Sequence, residues 1–338
     1  MKTILAPPTE ENLARAAQFI KQGQLVGMPT ETVYGLAADA GNEQAVKAIF
    51  TAKGRPQDNP LIVHISSLDM LEKLAESVPE TARRLAEAFW PGPLTMILPK
   101  SQQVSDTVTA GIGTVAVRFP SHPVAQRLIA LSRCPIAAPS ANLSGSPSPT
   151  RAEHVLRDMV GRIPMILDGG ECQVGLESTV VSVSEDLVRV LRPGGITVDD
   201  LLTVASRVEV DGAVLHQLEA GRVAASPGMK YKHYAPKAQV TIVEGNLSAF
   251  YQYAAAHQES VTYCMVFDGE ERNAPLPCIT YGSKDDQRAQ ARELFDCLRR
   301  LDDLGAQTVF ARSPSREGVG LAVYNRLLRA AAFRVVSL

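Results

Sequence analysis

Short apolar stretches of strand character alternate with amphipathic helical patterns along almost the whole chain, and that alternation restricts the fold to an α/β architecture. Thr9 stands where a helix cap is needed ahead of Leu13, Ala16, Ala17 and Ile20, which share one helical face, and Gly23 can end that helix. A strand is expected from Leu25 to Met28, then a helix holding Ala45, Val46 and Ile49 that stops near Gly54. Further strands are expected at Leu61 to Ile65, Leu94 to Leu98, Val115 to Phe119, Pro135 to Ala138, Pro164 to Leu167, Thr179 to Val183 and Val188 to Leu191. Thr150-Arg151-Ala152-Glu153 has capping-box spacing and is expected to open a helix running to Gly161.

Between 211 and 238 the pattern lapses. Ser226 to Pro236 has no periodicity and is framed by proline, so it reads as an extended linker. Fully stretched, the 211–238 segment reaches on the order of 90 Å, far enough to fold back over the first domain. Alternation then resumes, with strands expected at Gln239 to Val243, Val261 to Phe267 and Thr308 to Ala311. Helices are expected near Leu247 to His257, Asp286 to Leu304 and Val319 to Ala332, ahead of a terminal strand. The 338 residues suit about two domains. We divide them into a first α/β domain over 1–210, the linker, and a smaller Rossmann-like α/β domain over 239–338.

Charge narrows the function classes. Lys plus Arg (34) nearly cancels Asp plus Glu (36), so no whole-molecule basic field exists to hold nucleic acid, and only a local patch could do so. The apolar stretch Thr3 to Ala6 is too short for a signal peptide, and no run approaches the ~20 apolar residues of a membrane span. The five cysteines are odd in number, scattered and never spaced as a metal knuckle, which points to reduced thiols in the cytoplasm. Asn142-Leu143-Ser144 fits a glycosylation pattern, but without a secretory signal it reads as chance.

Several familiar motifs fail. No Gly-Lys pair exists for a P-loop, and neither H-E-x-x-H nor G-x-S-x-G occurs. Gly111-Ile112-Gly113-Thr114-Val115-Ala116 has the loose dinucleotide spacing but runs into a strand rather than a helix, so it reads as a turn. What survives is a set of polar clusters at the ends of apolar strands, where open α/β sheets bind ligands. Pro29 to Leu36 alone reads as a strand-to-helix turn with capping threonines. Lys53-Gly54-Arg55-Pro56 is expected to hold two cations on one rigid loop, suited to a polyphosphate. Arg118 lies on an apolar strand in phase with Ala116, and a half-buried arginine needs an anion, either a structural carboxylate or a ligand's. Ala137 to Thr150 is a hydroxyl-, glycine- and proline-rich loop whose amides suit an anion or nucleotide. Glu177-Ser178-Thr179 places a hydroxyl at a strand start, and Leu191-Arg192-Pro193 an arginine at a strand end.

The phrases PTETVYGL, KGRPQDNPLIVHI, PGPLTMIL, VAVRFPSHP, APSANLSGSPSPT, GLESTVV, LRPGGI and SPGMKYKHYAP follow one another from residue 29 to about 236. In that order they resemble the YrdC-type threonylcarbamoyl-AMP synthases, in the long form with an extra C-terminal domain. The resemblance implies a YrdC-like twisted mixed sheet. It also implies one reaction: ATP, L-threonine and bicarbonate or CO2 give threonylcarbamoyl-AMP and pyrophosphate, the first step of threonylcarbamoyladenosine modification of tRNA. Carried over by position, Lys53, Arg55, Ser140 and Asn142 match the family's K-x-R…S-x-N signature. Arg55, Asn59, Thr114, Ser140, Ser148 and Arg192 fall at ATP contacts, and Thr32, His64, Arg118, Ala138 and Ser178 at threonine contacts. Tyr234, with Tyr231 as the alternative, falls where the linker closes over the nucleotide as a lid. The implied cofactor is magnesium bound mainly through the ATP phosphates, with no protein side chain as metal ligand. The resemblance leaves room for the downstream threonylcarbamoyl-transfer enzyme and for weak RNA binding as partners. The rival readings are an RNA-binding module of the same fold without adenylate chemistry, and a carbamoyl-transfer maturation enzyme. The latter shares the K-x-R and S-x-N wording but usually carries acylphosphatase and zinc-finger segments that are missing here.

Overall fold

Val- and Ile-rich runs of the first two hundred residues pair into one mixed sheet of eleven strands in a computed structural model that describes residues 1–216 and 234–338. In chain order the strands are β1 Ile4–Ala6, β2 Val26–Met28, β3 Gly35–Asp39, β4 Ile62–His64, β5 Leu94–Pro99, β6 Thr114–Arg118, β7 Ile136–Ala137, β8 Met165–Leu167, β9 Thr179–Val183, β10 Val188–Arg192 and β11 Val208–Val210. Across the sheet they run β1-β8-β2-β3-β7-β4-β6-β5-β9-β10-β11. The helices between them are α1 Glu10–Lys21, α2 Glu43–Lys53, α3 Leu68–Leu74, α4 Glu80–Phe89, α5 Asp106–Thr109, α6 Pro123–Ser132, α7 Ala152–Met159 and α8 Val198–Leu202.

Strand side chains alternate between the two faces. Val63, Val115, Val117, Met96 and Val181 point to one face, where they pack with Ile49 and Phe50 of α2, Leu85 of α4 and Met159 of α7. Each such buried aliphatic or aromatic side chain contributes about 1.5–3 kcal/mol. On the opposite face α1 and α6 cover one end of the sheet, through Leu13, Ile20, Leu128 and Ile129 against Val26, Met28 and Met165. The centre of that face carries only Ile62, Ile97, Ala116, Val180, Leu191 and Ala213, a strand-borne apolar platform to which no helix contributes. The functional residues surround this platform.

Local signals explain most boundaries. Thr9 caps α1 by accepting from the Asn12 amide at 3.3 Å. Asn42 caps α2 by accepting from Gln44 and Ala45, and Gly54 ends it in the left-handed region at φ 62°. Two expectations are corrected. The 150–153 segment makes no capping box: α7 begins at Ala152 behind Arg151, which leaves Thr150 one residue too early. The Thr150 amide is instead accepted by His154 Nδ1 at 3.3 Å. Nor does Pro29 to Leu36 lead into a helix. It is the loop of an antiparallel hairpin, with Val26 opposite Ala37 and Met28 opposite Gly35. The reason is a period-two pattern, Leu36 and Ala38 entering one core and Ala37 the other.

The chain separates into two compact units. The second comprises the described residues 215–216 and 234–338 together with Gly145–Pro147. Its five strands, β12 Gln239–Glu244, β13 Thr262–Val266, β14 Cys278–Thr280, β15 Thr308–Arg312 and β16 Val335–Ser337, are all parallel in the order β14-β13-β15-β12-β16. Helices α9 Leu247–Ala256, α10 Gln287–Asp303 and α11 Gly320–Ala330 connect them, which is the small Rossmann-like α/β unit expected. Most of the expected linker, residues 217–233, lies outside the described residues, and with it Tyr231.

Candidate active site

Strand register assembles the site. Thr114, Ala116 and Arg118 share one face of β6. Parallel pairing with β4 sets His64 beside Arg118 and Ile62 beside Ala116, while antiparallel pairing with β5 sets Thr95 beside Arg118 and Ile97 beside Ala116. Three rows result: His64–Arg118–Thr95, then the apolar platform, then Thr114. At ~3.3 Å per residue the outer rows are about 13 Å apart.

At the first row, Arg118 is buried at 4 % exposure and its guanidinium is largely engaged. Nη2 donates to Glu31 Oε1 at 2.6 Å, Nη1 to Thr32 Oγ1 at 2.8 Å and Nε to the Gly92 carbonyl at 3.4 Å. The anion this arginine requires is therefore a structural carboxylate, Glu31, which the sequence reading passed over although it stands between Thr30 and Thr32. Thr30 gives its hydroxyl hydrogen to the Val33 carbonyl at 2.6 Å, so the Thr32 hydroxyl donates to Thr30 Oγ1 at 2.9 Å and keeps its lone pair for Arg118. Burial alone would raise the Glu31 carboxyl, but the adjacent Arg118 charge and hydrogen bond hold it below its ordinary value, so it stays ionised. His64 goes the other way. Burial, reinforced by the Arg118 charge, pushes its imidazole down to about 3, so it is neutral at physiological pH.

The neighbouring strands add a second cluster. Thr95 Oγ1 and Ser178 Oγ are 2.7 Å apart, and Arg192 donates to the Ser178 carbonyl through Nε and to Ser178 Oγ through Nη2, each at 3.1 Å. With its oxygen accepting from Arg192, Ser178 gives its hydrogen to Thr95. The turn after Arg192 lies against the 177–179 strap so closely that a Cβ on Gly194 would stand 2.3 Å from the Thr179 nitrogen. Only glycine fits there. Ser148 donates to Glu177 on the same strap, and Ala138 holds β4 through its amide to the Ile62 carbonyl at 3.0 Å.

The K-x-R…S-x-N residues converge, though not as expected. Lys53 does not project from the loop beside Arg55; it closes α2, buried at 4 % exposure. Its ammonium donates to the Ser140 carbonyl, to the Asn142 carbonyl at 2.7 Å and to Asn142 Oδ1 at 3.4 Å. Ser140 Oγ donates to the same Oδ1 at 2.5 Å, and the Ser144 amide returns to the Lys53 carbonyl at 2.9 Å. The helix reversal at Gly54 separates the two cations: Arg55 lies over the Phe50 ring at 5.6 Å and donates to the Asn59 carbonyl at 3.2 Å. Asn59 is fully buried, yet neither polar atom of its side-chain amide has a hydrogen-bond partner among the described residues. Thr114 is half-buried at the start of β6.

Tyr234 is a different case. Its backbone is left-handed at φ 64° and its buried ring packs on Phe295 at 5.3 Å, with Arg326 5.7 Å from the ring centroid, all within the second unit. Among the described residues, no group of three or more His, Cys, Asp or Glu is arranged to hold a metal ion, and no helix is long and apolar enough to cross a membrane.

Residues 18–194 match a family model named for Sua5, YciO and YrdC and described as telomere recombination. Residues 196–332 match a second, described as threonylcarbamoyl-AMP synthase, C-terminal domain. The chain is 45 % identical to the threonylcarbamoyl-AMP synthase of Pyrococcus abyssi over 330 residues, covering 95 % of this chain and 94 % of that one. It is 46 % identical to that of Bacillus subtilis over 332 residues, covering 97 % and 95 %. Among solved structures, P. abyssi Sua5 complexed with L-threonine superposes with a TM-score of 0.92 at 44 % identity, covering 100 % of this chain and 99 % of that one.

Proposed function

This chain belongs to the threonylcarbamoyl-AMP synthase family, and we propose that its site joins ATP, L-threonine and bicarbonate or CO2 into L-threonylcarbamoyl-AMP with release of pyrophosphate. The observation that carries the proposal is the polar row His64–Arg118–Thr95 standing across an apolar platform from Asn59 and Thr114. That spacing accommodates an amino acid at one end and a nucleotide at the other. A protein nucleophile is not required: the threonine amine adds to bicarbonate or CO2, giving the carbamate. A carbamate oxygen then attacks the α-phosphorus of ATP as the bond to pyrophosphate breaks. What the protein must supply is positioning and charge stabilisation.

Thr32, His64, Arg118, Ala138 and Ser178 would form the threonine end, and Arg55, Asn59, Thr114, Ser140, Ser148 and Arg192 the nucleotide end. Lys53, with its ammonium engaged by the 140–142 loop, would shape the loop that Ser140 and Asn142 present to the phosphates. The unpartnered amide of Asn59 is the strongest sign of a ligand there, since burying an unsatisfied amide costs about 1–3 kcal/mol. The side chains offer no metal cluster among the described residues, which suits a magnesium ion carried on the triphosphate; when bound, it would neutralise phosphate charge. Residues 217–233 would contribute the lid, with Tyr234 anchoring its end in the second unit. The product would serve tRNA modification in the cytoplasm, in keeping with five unbridged cysteines.

ATP–pyrophosphate exchange measured across amino acids, with and without bicarbonate, tests the reading. Exchange should require both threonine and bicarbonate, and exchange indifferent to either would overturn it. Arg55→Ala should lose about tenfold or more in pyrophosphate release, since a charge-assisted contact is worth about 1.5–3 kcal/mol. Salt-dependent RNA binding without turnover would favour the RNA-binding reading instead.

A further inference from the structure

The buried Glu31 carboxylate has one oxygen committed to Arg118 and the other, Oε2, without a hydrogen-bond partner among the described residues. A buried carboxylate oxygen left unsatisfied costs more than a neutral group, so such an atom points to a donor that arrives with a ligand. We propose that Glu31 anchors the α-ammonium of the amino-acid substrate through Oε2, a role that rests on the threonine-dependent reading above and adds to it a recognition element for the amine.

Three observations converge on this assignment. Arg118 has five N–H bonds, of which Glu31, Thr32 and Gly92 take three, so two remain for an incoming carboxylate. An α-amino acid carries its carboxylate and ammonium on adjacent atoms. A carboxylate seated on Arg118 therefore brings the ammonium beside the group that already pairs with Arg118. Charges then alternate around a ring: Glu31 carboxylate, Arg118 guanidinium, substrate carboxylate, substrate ammonium.

The net charge agrees. With His64 neutral, the first row holds one cation and one anion and sums to zero, which matches a zwitterion and disfavours ligands with a net charge. His64 supports the same reading from the other side, since its buried Nδ1 is likewise without a hydrogen-bond partner among the described residues. A second ligand group, such as the side-chain hydroxyl, can meet it. Glu31 is an anchor rather than the base that frees the amine, because a carboxylate held below its ordinary pKa by Arg118 is a weak proton acceptor.

The test uses the full chain, Glu31→Gln, and two ligands: L-threonine and 3-hydroxybutanoate, which is threonine without its amine. Glutamine keeps an oxygen for Arg118 but turns an amide NH2 toward the position of Oε2. Threonine affinity by calorimetric titration should fall at least tenfold, while affinities for 3-hydroxybutanoate and ATP stay within about twofold of wild type. Should the variant not fold, Glu31→Asp preserves the ion pair while withdrawing the second oxygen, and the same selective loss is expected. Equal losses for both ligands would reduce Glu31 to a support for Arg118 and overturn the proposal, as would unchanged threonine binding. Failure of the wild-type chain to bind threonine at all would strike the parent reading instead, so the two outcomes are distinguishable.

Discussion

His64 is a neutral imidazole held beside a guanidinium, and its burial carries a consequence for acid stability. Its folded pKa of about 3 lies below the ordinary 6.5, so between those values the unfolded chain binds a proton that the folded chain refuses. The stability it contributes is fully present above 6.5 and drains away as pH falls toward 3. Between pH 7 and pH 4.5 this group alone should cost about 2–3 kcal/mol. Urea unfolding of wild type and His64→Asn at the two pH values checks it. The variant should lose visibly less stability on acidification, and parallel losses would remove His64 as the source. Glu31, whose folded pKa is also lowered, adds loss of the same sign at lower pH. The sequence made part of this legible. A cation in phase with Ala116 on an apolar strand demands a buried anion, and Arg118 has one. It could not reveal which anion, because Glu31 lies 87 positions away and meets Arg118 only through strand register. The same limit applies to Lys53. Its helical phase was readable, but its three carbonyl and amide acceptors sit on a loop 87 to 89 positions later.

At the scale of elements, the strap 177–179 and the turn 193–195 form the tightest junction in the site. A Cβ on Gly194 would meet the Thr179 nitrogen at 2.3 Å, the Ser178 carbonyl carbon at 2.6 Å and the Glu177 oxygen at 2.7 Å, all of them backbone. A backbone neighbour cannot rotate away, so Gly194→Ala must push the strap off β10. The expected result is a loss of about 1–3 kcal/mol or more in unfolding free energy. Threonine and ATP affinities should weaken together, because Ser178 and Arg192 hold each other across the junction. A variant with wild-type stability and affinities would show that the strap yields freely. Strands of strong period-two pattern were legible here: β9 is read to the residue and β10 to within one. The hairpin at β2 and β3 was not. Its loop is rich in threonine, which caps helices and ends strands alike, and only the alternation of Leu36, Ala37 and Ala38 between two cores decides the case. The capping-box spacing at Thr150 failed for a related reason, since α7 starts one residue later than the motif assumes. Thr197 and Asp200 do form such a box, ahead of α8.

Over the whole molecule, the resumption of alternation after residue 238 was enough to mark a second α/β unit, and its strand and helix order is as read. What periodicity could not show is that Gly145–Pro147, the tip of the loop between Asn142 and Ser148, groups with that second unit. There the Gly145 carbonyl accepts from the Ala235 amide at 2.9 Å and the Pro147 carbonyl from the buried Arg299 at 2.6 Å. Glu31, Thr32, His64, Arg118 and Ser178, by contrast, all belong to the first unit. Removing everything after residue 216 should therefore separate the two ends of the site. The first unit has its own core on both faces of its sheet and should fold. Threonine should bind to the 1–216 fragment within about threefold of the full chain. ATP should bind at least tenfold more weakly, because the tip of the phosphate loop loses two hydrogen bonds, one from a charged donor, worth about 2–4 kcal/mol together. Titration of each ligand against fragment and full chain decides the matter. If both affinities fall equally, the amino-acid end depends on the second unit as well. If neither falls, the loop tip needs no support and the second unit acts elsewhere.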